Sequence, residues 1–224
     1  MRVEEIADGL WRWTTQHPEW TPAELEDDGW EADVGSLYYE APDAVVLVDP
    51  LVPTEDAERE RFLQALDRDL ERAGRPLAIV ISLFFHERSA GELAARYESA
   101  GVWAHEPALP RIATAVTNPF RIGEALPGGL QPFDAHRRDE VLLWIPEHRA
   151  LVAADVLLGD GRGGLRVCPD AWLPENVSPA TFRERLRPLL ELPLERVLPA
   201  HGDPVLDNAR DALASALHSP PRAE

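Results

Sequence analysis

The sequence predicts an α/β fold built as one domain, with two sheets inside and helices outside. Three observations predict it: apolar runs of strand length alternate with helical segments, this order recurs in two similarly organised halves, and no stretch resembles an interdomain linker. With 224 residues, 45% of them hydrophobic and 28% charged, the chain is long enough to bury a substantial core. We therefore expect a single domain over residues 1–224.

The first half opens with a predicted hairpin and an amphipathic helix. Residues 34–40 and 44–49 read as two strands joined by a turn at Pro42-Asp43. The segment "TEDAERERFLQALDRDLERAG" places four apolar residues on one helical face, with Thr54 as N-cap and Gly74 just past its end. This helix should pack on a sheet.

A buried strand, a polar loop and a second helix follow. "LAIVISLFF" is a continuous apolar run, which is typical of a strand covered on both faces. Ser89 and Glu92 form a capping-box pattern ahead of a helix that Gly101 ends. The loop between strand and helix carries His86, Glu87 and Arg88.

The second half repeats this organisation. "EVLLWIP" and "RALVAADVLL" predict a hairpin turned at Glu147-His148, and "VSPATFRERLRPLLEL" predicts a helix with Ser178 as N-cap. "ERVLPAHGDPV" reads as a short strand that runs into a His-Gly turn. A last helix is expected from near Asp207 to near His218, followed by a frayed tail, "SPPRAE".

Composition excludes several classes of function. The 40 acidic and 22 basic residues give a net charge of −18, which opposes binding to nucleic acid or to an anionic membrane. All basic residues are arginine, so lysine Schiff-base chemistry is excluded. The single cysteine, Cys168, excludes an intrachain disulfide and a cysteine-based zinc cluster. Without an apolar segment of membrane-spanning length or a signal-peptide pattern, we expect a cytoplasmic protein.

Three polar residues lie where predicted strands of the second half begin or end: His136, Asp155 and His201. Loops at strand ends are where rigid scaffolds present ligands, and imidazole with carboxylate suits zinc, iron or manganese. Each residue also has a structural interpretation, as a hydrogen-bonded loop histidine or a turn-capping aspartate. The residues alone leave both interpretations open.

The order of these segments resembles the metallo-β-lactamase superfamily over nearly the whole chain. The resemblance rests on four stretches, "VVLVDP", "ISLFFHERSAGELAARY", "DAHRRDEVLLWIPEHRALVAADVLL" and "VLPAHGDPV". It implies a four-layer αββα sandwich with a site along one edge. It also implies that His136, Asp155 and His201 are metal ligands and that Asp49 supports them from behind.

The most specific motif of that family is altered here. Its Thr-His-x-His-x-Asp-His reads "SLFFHER", so that Leu83 and Phe85 replace two histidines, Glu87 replaces the aspartate and Arg88 replaces the last histidine. Leucine and phenylalanine cannot bind a metal. The resemblance therefore leaves Glu87 with His136, Asp155 and His201 as candidate ligands, while His86, one residue out of register, is a candidate to compensate.

Three functional hypotheses follow. In the first, the usual two-metal activity is lost, Arg88 replaces the metal's charge by pairing with Glu87 or Asp155, and the cleft binds a small molecule. In the second, one metal ion held by Glu87, Asp155 and His201 activates water against an ester or thioester, with His136 as ligand or proton carrier. In the third, His136 or His86 acts without metal beside a carboxylate, although no nucleophile is evident.

The candidate contacts to a small-molecule ligand or substrate are Phe85, Arg88, Trp20 and Trp30. Trp20 and Trp30 belong to the tryptophan-rich stretch "LWRWTTQHPEWTPAELEDDGW", whose loops overhang the site in the resembled fold. Alternatively these tryptophans fasten a long loop to the sheet. The sequence does not predict an oligomeric state.

Overall fold

The computed structural model describes residues 1–27, 29–137 and 139–218. Within these residues a seven-stranded sheet has the order β1 to β7, and a four-stranded sheet has the order β13-β10-β9-β8. The strands of the first sheet are β1 (Arg2–Ala7), β2 (Leu10–Gln16), β3 (Asp33–Glu40), β4 (Val45–Val48), β5 (Leu77–Ile81), β6 (Gly101–His105) and β7 (Asn118–Phe120). Those of the second are β8 (Gln131–Asp134), β9 (Val141–Ile145), β10 (Ala150–Val152) and β13 (Arg196–Leu198).

Helices and a small hairpin complete the described fold. The helices are α1 (Pro22–Asp27), α2 (Asp56–Ala73), α3 (Ala90–Arg96), α4 (Pro179–Leu186) and α5 (Ala209–His218), and β11 (Leu157–Gly159) pairs with β12 (Leu165–Val167). The strands from β1 to β4 are antiparallel, and those from β4 to β7 are parallel. The parallel strands end at a common edge, where loops can present side chains together.

Side-chain alternation along the strands produces four layers. In β4, Val46 and Val48 belong to the core between the two sheets, whereas Val45 and Leu47 belong to a second core that includes Leu66 of α2. A third core covers the outer face of the other sheet with residues of α4 and α5. Because strand side chains alternate between faces, a strand buried on both faces must be apolar throughout. The predicted arrangement of two inner sheets and outer helices is confirmed.

Several local predictions hold. Gly74 ends α2 in a left-handed conformation (φ 61°), and the side chain of Ser178 accepts a hydrogen bond from Thr181 N at the start of α4. The hairpin of β9 and β10 turns at residues 146–148, as expected. No helix among the described residues is long and apolar enough to cross a membrane.

Other local predictions are wrong. The N-cap of α2 is Glu55, whose carboxylate accepts from two backbone N–H groups, because the helix begins one residue later than Thr54 predicts. The capping box at Ser89 does not form, since Ser89 Oγ accepts a hydrogen bond from Val52 N instead. The sequence reasoning missed β1 and β2, where Trp13 packs in the core. The predicted frayed tail lies outside the described residues.

Candidate metal centre

A tight turn after β5 decides which side chains enter the site. Residues Phe84–Glu87 form one turn of 3-10 helix, in which His86 N donates to Leu83 O at 2.8 Å. The turn buries Leu83 completely and leaves Phe85 64% exposed. It also directs the imidazole of His86 inward, where only 3% of that residue is exposed. His86 therefore enters the site from a position that the family motif leaves unassigned.

Asp49 holds this imidazole in one orientation. Asp49 follows β4, and its carboxylate accepts hydrogen bonds from the backbone N–H and the hydroxyl of Ser82. Its Oδ2 lies 2.9 Å from Nδ1 of His86. An ionised carboxylate can only accept, so Nδ1 is the donor, and in a neutral imidazole Nε2 then carries the lone pair. A carboxylate behind an imidazole in this way is typical of metal-binding histidines.

Three potential ligand atoms converge in front of His86. Its Nε2 lies 3.1 Å from Oδ1 of Asp155, and Nε2 of His201 lies 3.2 Å from the same oxygen. One donor atom from each of the three buried residues lies within 4.8 Å of the others. Among the described residues, Oδ1 of Asp155 accepts no hydrogen bond. Either a shared cation or a proton on the facing ring nitrogen satisfies this contact, since two lone pairs that face one another repel.

The charges of this cluster depend on each other. Burial disfavours the charged form of His86, but the carboxylates of Asp155 and Asp49 outweigh it and raise the pKa of His86 to about 9. Burial likewise opposes ionisation of Asp155, but the charge of His86 and the contact with His201 hold its pKa well below the usual range. Burial lowers the pKa of His201. The cluster thus keeps an ionised Asp155 beside a neutral His201, and His86 must lose a proton before its Nε2 can bind a metal.

The loop carrying His201 is held by a buried arginine. From β2, Arg12 extends an NH2 group that donates to Gly202 O at 2.8 Å and to Pro199 O at 3.4 Å, on both sides of His201. Gly35 N of β3 donates to Ala200 O at 2.7 Å. A Cβ atom on Gly35 would lie 2.7 Å from the Arg12 guanidinium, so the close approach requires glycine.

Asp155 is supported from the opposite side. Its backbone N–H donates to Oε1 of Glu140 at 2.9 Å, and Oε2 of this buried glutamate lies 2.9 Å from Nε of Arg137. Burial is the main reason that the pKa of Glu140 is raised, to about 7. The hydrogen bond to Glu140 fixes the backbone of Asp155, and therefore the position of the carboxylate that faces His86.

A cleft of about 520 Å³ opens in front of the cluster. Its apolar walls include Trp30, Trp172 and Phe85, and its cationic walls are Arg88 and Arg137. The ring of Trp30 lies edge-on to His201, with 5.1 Å between ring centroids. These walls limit the access of water to the cluster, which strengthens electrostatic interactions inside it.

Two predicted site residues lie outside the cluster. The carboxylate of Glu87 points away, where it accepts hydrogen bonds from Ala113 N at 2.8 Å and from the N–H and hydroxyl of Thr114. The imidazole of His136 lies with its Nε2 2.9 Å from Arg185 O and its Nδ1 3.4 Å from an Asp134 oxygen. Neither is brought to Asp155, because the 3-10 turn rotates Glu87 outward and the positive φ of His136 (59°) redirects its side chain.

The contacts of Arg88 differ from those predicted, and those of Trp20 and Trp30 agree with the prediction only in part. Among the described residues, the hydrogen bonds of Arg88 go to the backbone oxygens of Gly35 (2.8 Å) and Asp49 (2.9 Å), and not to Glu87 or Asp155. Trp30 lines the cleft, whereas Trp20 donates from its ring nitrogen to Trp30 O at 3.2 Å and fastens that segment. The two interpretations of the tryptophans therefore apply to different residues.

Four residues that line or support the site were not predicted from the sequence. Arg12, Arg137 and Trp172 were not selected, because their roles arise from strands and loops that are distant in sequence. Glu140 had a signal, since an acid directly precedes an apolar strand there. Cys168 is buried, and burial raises the pKa of its thiol to about 12, which disfavours the reactive thiolate.

No protein-family model matches the sequence, and no curated protein matches it either. Solved structures do match over nearly the whole chain. A metallo-beta-lactamase from Pontibacter korlensis has 16% identity and a TM-score of 0.68, covering 98% of this chain and 99% of its own. A metallo-beta-lactamase family protein from Thermus thermophilus has 19% identity and a TM-score of 0.64, covering 94% and 79%. The mono-zinc form of FIM-1 from Pseudomonas aeruginosa has 15% identity and a TM-score of 0.64, covering 96% and 94%.

Proposed function

We propose that this chain, which has the metallo-β-lactamase fold, binds a single divalent metal ion and acts as a metal-dependent hydrolase. One observation carries the proposal. Nε2 of His86 and Nε2 of His201 both lie within 3.2 Å of the same buried oxygen of Asp155, and that oxygen accepts no hydrogen bond among the described residues. Two imidazole nitrogens and one carboxylate oxygen meet there, and this donor set suits a metal.

The chemistry of the donors favours one ion of the zinc type. Catalytic zinc sites have three protein ligands and an open position, and a pair of histidines with one carboxylate also suits iron and manganese. A single ion has a counterpart among proteins of this fold, since FIM-1 has a mono-zinc form. A bound ion of this kind would make water a nucleophile near neutral pH and polarise a carbonyl group. An ester or thioester is the expected kind of substrate.

The protein's own residues would orient the ligands and enclose the substrate. Asp49 accepts the Nδ1 proton of His86 and keeps Nε2 directed at Asp155. Trp30 and Trp172 shield the His201 side, where their ring centroids lie 5.1 and 6.3 Å from its imidazole. The cleft volume of about 520 Å³ is suitable for a small molecule.

The test combines metal content with turnover. Purified protein is depleted with chelator, reloaded with zinc, iron or manganese, and assayed for metal content and for hydrolysis of simple aryl esters and thioesters. We expect a single equivalent of metal per chain, activity only in a reloaded form, and loss of both in Asp155→Asn. Glu184→Gln, an exposed substitution outside the cleft, is the matched control and should retain both. Wild-type protein that binds none of the three metals would refute the proposal.

A metal-free binding cleft is the second candidate. It is favoured by the position of His86 between two carboxylates, which raise its pKa to about 9 and allow an imidazolium to replace a metal's charge. In that case zinc would not bind, while small ligands would still enter the cleft. Calorimetric titration with zinc at about pH 8 separates the two, because only the first candidate predicts saturable binding with proton release.

A further inference from the structure

The imidazole of His17 lies at the rim of the cleft, on the segment between β2 and β3. Its backbone N–H donates to Ala32 O at 2.8 Å, and its carbonyl oxygen accepts from Trp20 N at 3.1 Å. Its ring meets that of Trp30 edge-on, with 5.5 Å between centroids and 87° between ring planes. Main-chain and ring contacts therefore hold this half-buried side chain in place.

The hydrogen bonds of His17 indicate which of its ring nitrogens carries a proton. The backbone N–H of Glu19 donates to Nδ1 at 3.3 Å, so Nδ1 is an acceptor. In a neutral imidazole the proton then belongs to Nε2. Among the described residues Nε2 has no hydrogen-bond partner, and it is not occluded from solvent. His17 therefore presents an N–H donor to the cleft.

This donor is uncharged near neutral pH. Burial, followed by the charge of Arg88, lowers the pKa of His17 below its ordinary value of 6.5. The carboxylate of Glu19 has the opposite effect and does not outweigh them. A neutral imidazole that is held in one orientation can donate to an acceptor and polarise it without becoming an imidazolium.

The charges around His17 disfavour an anionic group at the rim. Glu19 and Glu24 both line the cleft there. The side chain of Glu19 is exposed, and a carboxylate oxygen of Glu24 accepts from Nε1 of Trp30 at 3.3 Å. Two carboxylates beside one neutral donor repel an anion. The group that His17 binds should therefore be an uncharged acceptor, such as a carbonyl or an ether oxygen.

Trp30 connects this donor with the metal centre, because the same ring lies 5.1 Å from that of His201. A small molecule bound at the cluster can therefore extend to His17. We propose that His17 is a substrate-recognition residue, whose Nε2–H group binds an uncharged acceptor in the part of the substrate that lies at the rim. The substrate is then an ester or thioester with a second, uncharged polar group. The substrate class rests on the proposed function, whereas the hydrogen bond from His17 needs no metal.

Long-range proton–nitrogen NMR correlation on metal-free protein tests the tautomer. The signals of His17 are identified by their absence from His17→Gln. At about pH 7.5 we expect a protonated Nε2 and an unprotonated Nδ1, as the hydrogen bond from Glu19 requires. A proton on Nδ1 in place of Nε2 would overturn the proposal, because His17 could not then donate to a ligand from its accessible nitrogen.

A matched pair of neutral probes tests recognition. Acetophenone carries a carbonyl acceptor, and α-methylstyrene has a CH2 group in place of that oxygen and nearly the same shape. Both are titrated by NMR into metal-free and zinc-loaded protein, and the ratio of their affinities is compared between variants. In His17→Phe the preference for acetophenone should fall roughly 3–10-fold, as for the loss of one hydrogen bond between uncharged groups. His17→Gln should retain part of the preference, because an amide can also donate.

His148→Phe is the matched control. His148 is also half-buried and edge-on to an aromatic ring, that of Tyr39 at 5.2 Å, but it lies outside the cleft. Its substitution should leave the probe ratio unchanged. If His17→Phe weakens both probes equally, or weakens neither, then His17 only stabilises its loop and the proposal is overturned. Circular dichroism checks folding, and the tautomer decides alone if His17→Phe is unfolded.

Zinc content separates this inference from the proposed function. His17 is not among the three donors, so His17→Phe should retain the zinc content of the wild type. If wild-type protein binds no zinc but the probe ratio still depends on His17, the proposed function fails and the recognition by His17 stands. If zinc binds normally and the ratio does not depend on His17, this inference fails and the proposed function stands.

Discussion

Substituting Gly35 by alanine should disturb the site without touching a metal donor. A Cβ atom at this position would lie 2.7 Å from both Nε and NH2 of Arg12 and 2.9 Å from its Cζ. Such distances are too short for non-bonded atoms. Arg12 is only 3% exposed, so its guanidinium cannot move away without losing its hydrogen bond to Gly202 O.

The size of the effect follows from these contacts. A hydrogen bond to a charged group stabilises by about 1.5–3 kcal/mol, and overpacking a core costs about 1–3 kcal/mol. We expect Gly35→Ala to lower the free energy of unfolding by about 2–4 kcal/mol. Since Arg12 holds the carbonyls on both sides of His201, metal affinity should also fall, by about 10–100-fold as for other supporting contacts.

Urea unfolding of metal-free protein and cobalt titration measure the two effects. Gly101→Ala is the matched control, because its added Cβ would meet only the side-chain ends of Asn118 and Trp103, at 3.0 and 3.1 Å. In an Arg12→Met background Gly35→Ala should cost less, with a coupling of about 1–3 kcal/mol. If Gly35→Ala destabilises no more than Gly101→Ala, or destabilises equally with and without Arg12, then the contact between Gly35 and Arg12 does not support the site.

Three further predictions concern residues around the site. Glu87→Gln should lower the free energy of unfolding by about 1–2 kcal/mol, because it weakens the hydrogen bonds from Ala113 and Thr114. Elemental analysis should show an unchanged zinc content in both Glu87→Gln and His136→Ala. Loss of zinc from either variant would show that the substituted residue is a ligand. The pKa of Glu140 is raised by burial from 4.5 to about 7, so the stability from its neutral form is complete below 4.5 and lost as pH rises through about 7. Metal-free wild type should therefore lose stability relative to Glu140→Gln between these values in urea unfolding, and a constant difference would contradict the assignment. Cys168 should react with Ellman's reagent only after unfolding, since burial raises the pKa of its thiol to about 12; rapid reaction of the native protein would contradict its burial.

Much of the fold could be predicted, because a strand that is buried on both faces is apolar along its whole length. The continuous apolar run of β5 and the hairpin of β9 and β10 follow from strand-length hydrophobic patterns. β1 and β2 lack a continuous apolar run, since β1 is mostly polar and Arg12 lies between two tryptophans in β2. Tertiary pairing with β3 overrides that local ambiguity.

The sequence predicted which loops form the site, but not which residue of the loop after β5 enters it. Asp155 and His201 were selected because they end strands, and the structure brings them together. The choice between His86 and Glu87 depends on one turn of 3-10 helix, whose rotation a sequence pattern does not specify. The support by Arg12 was not predictable, because it requires β2, β3 and the His201 loop to meet across about 190 residues of sequence.

The most direct test of the central claim is a crystal structure of zinc-loaded protein with anomalous diffraction data at the zinc edge. We expect one anomalous peak per chain, at about 2.0–2.2 Å from Nε2 of His86, Nε2 of His201 and a carboxylate oxygen of Asp155. A cleft without a peak, or a peak bound by Glu87 or His136 in place of His86, would contradict it.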